Sequence, residues 1–142
     1  MAPDFTLHVV ASTGLSDQTV TLSSFRGKVV VLEFMASWCP NCQQMAPSLE
    51  YLNQEYRGQD VVFLSVATTL EGATAESTAA FIKQYNSTWT YVLDTNNSVF
   101  STYRVQGTPT ILILDRTGTI VSRTQGIVAT AALSDAIDRA LS

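Results

Sequence analysis

The chain carries little charge: Asp, Glu, Lys and Arg make up 14% of its 142 residues, and the eight Lys and Arg are scattered. With a net charge of -4 and no basic cluster, it lacks the electrostatic footprint of a nucleic-acid binder or of a protein drawn to anionic membranes. No apolar run reaches the roughly 18 residues of a membrane span, so the domain is not membrane-embedded. Histidine occurs once and cysteine twice, whereas a closed zinc site needs about four ligands. Since His8 lies in a strand-like run far from the cysteines, such a site is close to excluded, and no metal or other cofactor is expected. Repeats, low-complexity tracts and Pro/Gly/Ser linkers are also missing, which leaves a single domain over residues 1–142. The opening "MAPDF" has no charged segment followed by an apolar one, so no signal peptide is visible.

What is present is a hydrophobic content of 46%, enough for a real core without a framework of disulfides. "FTLHVV" (5–10) and "QTVTL" (18–22) alternate around the turn-like "STGLSD", predicting an N-terminal hairpin. "KVVVLEFMA" (28–36) and "DVVFLSVA" (60–67) are nearly continuous β-branched and aromatic runs, as strands buried on both faces require. Between them Met45, Leu49, Leu52 and Tyr56 recur at helical spacing. Further on come a helix over 73–85 with Thr74 as its N-cap, a strand at 90–94 and a short helix within 96–105. A second hairpin (110–115 and 119–124) and a closing helix carrying Leu133, Ile137, Ala140 and Leu141 complete the order. Such alternation predicts an α/β fold, a central mixed sheet with helices on both faces and a parallel βαβ core.

Both cysteines lie in "SWCPNC", where a strand runs into a helix. Pro40 suits the first helical position, because its missing N–H has no partner to lose there. Cys39 then becomes the N-cap, with the N–H groups of Asn41 and Cys42 able to point at its sulfur and the helix dipole favouring the thiolate. That makes Cys39 the nucleophile. Cys42, one turn further in, is expected to be more buried and to resolve a mixed disulfide. A mere staple is the bland alternative, but so short a loop removes little unfolded-state entropy. Copper(I) is another alternative, since the thiol pair has two thioethers nearby in Met35 and Met45; gap-filling in the core is the commoner use of methionine.

With "APDFTL" upstream, "LSSFRGKVVVLEF", the W-C-x-x-C, Pro47 in the helix and "VQGTPTILILD" downstream, the chain resembles the thioredoxin superfamily across its whole length. It is most similar to the TlpA/ResA-like thiol-disulfide oxidoreductases. The resemblance implies a thioredoxin-like fold with an inserted helix-strand segment, and a protein-disulfide reductase using a reversible Cys39–Cys42 dithiol. It also implies a cis Pro109 lying against the cysteine pair, with the backbone of Thr108 pairing with the substrate chain. Trp38, Pro40 and Asn41 shape the surface around Cys39. Implied partners are cysteine-bearing protein substrates and an upstream dithiol reductant, for a monomer located outside the cytoplasm (periplasmic or cell-surface, a leader or anchor having been trimmed); the cytoplasm is the alternative.

Glu33 stands in an apolar strand on the same face as Met35, where a carboxylate is costly to bury. Thioredoxins have an Asp at the matching position, so Glu33 is expected to be the buried acid that relays the Cys42 proton. Its alternative is a Glu bent to solvent or paired with Lys28. Two departures matter. Met45 replaces a Glu found in some ResA-like proteins, and Pro40-Asn41 lacks the His of strongly oxidising relatives, which favours a reductant or mild exchanger. A peroxiredoxin-like thiol peroxidase is the enzymatic alternative, although the P-x-x-x-T-x-x-C pattern of those relatives is absent around Cys39.

Overall fold

The computed structural model describes residues 1–142. At its centre is β3 (Val29–Met35), all seven residues of which are buried. Neighbouring β4 (Val61–Thr68) and β5 (Thr90–Asp94) run parallel to it, while β6 (Thr110–Leu114) flanks it antiparallel. The hairpin β1 (Thr6–Ala11) and β2 (Gly14–Thr21) joins through β1 to β5, and β7 (Ile120–Gln125) closes the far edge, giving the order β2-β1-β5-β4-β3-β6-β7. The Val- and Ile-rich runs occupy the interior positions because both of their faces are covered.

Alternate residues of β3 divide the core. Val29, Val31 and Met35 face a cluster of 25 buried residues that includes side chains of α1 (Pro40–Glu55), α2 (Ala75–Tyr85) and α4 (Thr130–Leu141). Val30, Leu32 and Phe34 face a smaller cluster of 14, capped by the short α3 (Ser98–Thr102) and by Ala2 and Phe5 from the N-terminal segment. Helices thus cover both faces as expected, but three of the four lie on the face that holds the cysteines. Leu32 has no exposed surface at the heart of the smaller cluster. A Leu32→Ala variant is expected to lose about 2–5 kcal/mol of stability, read from the midpoint of urea unfolding.

Element boundaries follow local chemistry. Thr74 caps α2 by accepting from the Ser77 N–H, and Ser77 reciprocates to the Thr74 N–H. Asp94 anchors α3 by accepting from the N–H groups of Val99 and Phe100. One expectation needs correction: "STGLSD" is not a six-residue turn, since β2 already starts at Gly14, which pairs with Ala11. Gly14 at φ 122 makes so tight a connection possible, and the strand's first apolar residue, Leu15, points to solvent at the sheet edge. Two 3-10 turns, Leu22–Phe25 and Leu70–Gly72, were not foreseen. The second lies beside the cysteines.

Candidate active site

After β3 the chain turns through residues 36–38, with the Cys39 N–H returning to the Ala36 carbonyl. Cys39 is extended (φ -76, ψ 118) and Pro40 opens α1, as the spacing predicts. The Cys39 sulfur accepts a hydrogen bond from the Cys42 N–H at 3.2 Å and donates one to the Thr108 carbonyl at 3.3 Å. Of the two N–H groups expected to reach the sulfur, only that of Cys42 does; the Asn41 N–H makes no such bond. Both cysteines are free thiols, Cys39 at 3% and Cys42 at 0% exposure. Pro40 and Asn41 flank Cys39 on the exposed side, and Pro47 sits inside the helix with its ring outward.

Thr108–Pro109 is a cis peptide bond. Pro109 is buried and its carbonyl accepts from the Gly126 N–H, which ties this loop to the end of β7. Thr108 is half-buried; its carbonyl faces Cys39, and its N–H makes no hydrogen bond within the chain. Trp38 is 43% exposed, and its indole N–H is held by the Leu70 carbonyl at 3.0 Å. Trp38, Leu70, Glu71 and Thr108 line a cleft whose wall reaches Cys39 through its chain neighbour Trp38 and its hydrogen-bond partner Thr108.

Beneath the pair lies Glu33, 4% exposed and without any basic partner. The alternative pairing with Lys28 is not formed; the bond Glu33 does make is from the Ser65 hydroxyl, at 2.6 Å to Oε1. Burial pushes its carboxyl up to about 7, against the opposing pull of the Ser65 hydrogen bond. Burial first, and then the Glu33 charge, also raise the Cys42 thiol far above its ordinary range. Cys42 therefore stays protonated until a base takes its proton.

The whole chain is similar to known proteins. Residues 1–123 match the AhpC/TSA family. The chain belongs to that family. It is 34% identical to the thiol-disulfide oxidoreductase ResA of Oceanobacillus iheyensis over 125 residues, covering 88% of this chain and 63% of that protein. A crystal structure from Chlorobium tepidum, assigned to the thiol:disulfide interchange protein DsbE, superposes with a TM-score of 0.87 at 29% identity, covering 99% of this chain and 95% of that one. A secreted Mycobacterium tuberculosis disulfide oxidoreductase homologous to E. coli DsbE gives 0.81 at 25% identity, covering 95% of each chain. The fold is thioredoxin-like. The chain spans no more than 66% of the length of the first curated relatives it matches.

Met35 and Met45 are buried in the same core cluster as the two cysteines. His8 is an exposed strand residue whose Nδ1 lies 3.2 Å from the Ser16 carbonyl oxygen. Sequence reasoning overlooked Ser65 and Trp89, although a serine inside "VVFLSVA" is a visible signal: a lone hydroxyl in an apolar strand needs a partner.

Proposed function

We propose that the chain is a thiol-disulfide oxidoreductase that reduces disulfides in protein substrates. The carrying observation is the placement of Cys39 Sγ at the start of α1, against the Thr108 carbonyl, with Cys42 buried one turn behind it. In the reductive direction, the Cys39 thiolate attacks one substrate sulfur, forming a mixed disulfide and releasing the other as a thiolate. Glu33 takes the proton of Cys42, and the Cys42 thiolate attacks Cys39 Sγ. A Cys39–Cys42 disulfide forms, the second substrate thiolate leaves, and two electrons have passed to the substrate. An upstream dithiol returns them. The unpaired Thr108 N–H supports a role in holding the substrate backbone beside Cys39, with Pro109, Trp38, Pro40 and Asn41 shaping the contact.

We place the domain outside the cytoplasm, periplasmic or at the cell surface, a reading supported by the secreted tuberculosis relative. Apart from Trp38 and Leu70 in the active-site cleft, its large exposed apolar residues are dispersed over β2, α1 and β7 (Leu15, Tyr51, Val121), which supports a monomer. The test is reduction of insulin by a dithiol in the presence of the protein, paired with trapping on Cys42→Ser. The variant is expected to retain substrate proteins as mixed disulfides through Cys39. No acceleration and no trapped partner would sink the proposal, whereas fast, Cys39-dependent consumption of peroxide would favour a thiol peroxidase.

A further inference from the structure

Glu33, Ser65 and Tyr91 stand side by side on adjacent strands, Glu33 paired with Ser65 and Ser65 with Tyr91. Ser65 has 0% exposure and is the lone hydroxyl within the apolar run of β4 that precedes Thr68. It receives the Trp89 indole N–H at 2.8 Å and gives its own proton to Glu33 Oε1 at 2.6 Å. An indole N–H can only donate, so the Ser65 oxygen is committed as its acceptor. The one hydroxyl proton is then left for Glu33. Trp89 is itself held in place by stacking on Tyr91, with ring centroids 5.2 Å apart and planes at 23°.

This chain runs in one direction only, Trp89 to Ser65 to Glu33, and ends on one carboxyl oxygen. The Ser65 bond to Oε1 is the carboxyl's only hydrogen bond within the chain, so Oε2 takes none, and Glu33 keeps 4% of its surface exposed. The titratable groups near the carboxyl from the surrounding elements are Cys42 on α1 and Tyr91 on β5, and apolar Ile111 pairs with Glu33 from β6. No Lys or Arg bonds to it.

We propose that Ser65 and Trp89 are positioning residues that clamp Glu33 Oε1 in its hydrogen-bond-accepting form and leave Oε2 free to take the Cys42 proton. In that step the Cys42 S–H bond breaks and an O–H bond forms on Oε2; the Cys42 thiolate then bonds to Cys39 Sγ as the Cys39–substrate S–S bond breaks, its electron pair leaving with the substrate sulfur as a thiolate. The proposal rests on the proton role given to Glu33 above. Neither Ser65 nor Trp89 touches the substrate.

The test is a carbon-13 NMR titration of the Glu33 carboxyl in the reduced protein, alongside the pH profile of mixed-disulfide resolution. The wild-type midpoint is expected near the value of about 7 that burial and Ser65 together produce. Ser65→Ala removes the only donor to the carboxylate and is expected to raise the midpoint by about one unit, moving the resolution profile with it. Trp89→Phe keeps the hydroxyl but frees its direction, so a smaller rise is expected. This second variant decides the matter should Ser65→Ala fail to fold. Unchanged midpoints in folded variants would overturn the proposal. A Glu33→Gln variant that resolves at the wild-type rate would instead remove the underlying proton role, an outcome the titration does not mimic.

Discussion

Cys39→Ser is expected to reduce insulin no faster than the dithiol alone, a loss of at least about a thousand-fold, the scale seen when a covalent catalyst loses its nucleophile. The reason is the anion: a thiol is deprotonated to a useful extent near neutrality, and a hydroxyl in the same place is not. The substitution keeps a hydrogen-bond acceptor at the N-cap, and serine is a favoured residue there, so α1 should start as before. Unfolding by urea is accordingly expected to move little while activity disappears. Cys42→Ser behaves differently, because the first attack still occurs and the release does not. The two variants therefore differ in kind: Cys39→Ser captures no partner, and Cys42→Ser accumulates partners that a small thiol sets free. Wild-type turnover by Cys39→Ser would remove the nucleophile assignment; trapping through Cys42 would invert the roles of the pair.

Much of this site could be read from the chain because the decisive signals are local. Pro40 at a strand-to-helix junction announces where α1 begins, and with it the cap position of Cys39. A charged residue within "VVVLEFM" has few places to go but inward, and Glu33 is buried as that cost suggested. What could not be read depends on register between distant strands. Ser65 lies 32 residues from Glu33 and Trp89 lies 24 from Ser65, and only the alignment of β3, β4 and β5 brings the three together. The same holds for the Leu70 carbonyl, which fixes Trp38 from a 3-10 turn that has no periodic pattern to mark it. The hairpin turn was misread for the converse reason. A single positive-φ glycine shortened the connection to two residues, while the exposed Leu15 gave no sign of a strand.

Glu33→Gln is expected to do two things at once, slow the chemistry and strengthen the fold. The carboxyl titrates near 7 in the folded protein, against an ordinary value of 4.5. A raised carboxyl means that the folded state holds its proton more tightly than the unfolded chain, so wild-type stability falls as pH rises from about 4.5 to about 7. The whole of that loss, about 3 kcal/mol for a shift of this size, is present above neutrality. Glutamine has no charge to desolvate and can still accept from Ser65. Subtracting the unfolding free energies of the two proteins at each pH cancels the other titrating groups, so the difference should grow in favour of Glu33→Gln between pH 4 and pH 8 by about 3 kcal/mol. A difference that stays flat with pH would mean that Glu33 is not ionising within the fold. Above about pH 7, where the wild-type carboxyl is ionised, the variant should resolve mixed disulfides about a hundred-fold more slowly, the lower bound of what a positioned general base supplies, and the deficit should shrink below that pH as Glu33 takes up its own proton. That deficit should narrow at alkaline pH, as hydroxide takes over the deprotonation of Cys42. The carboxylate is thus kept at a cost to stability that is greatest at the pH where it is able to accept a proton.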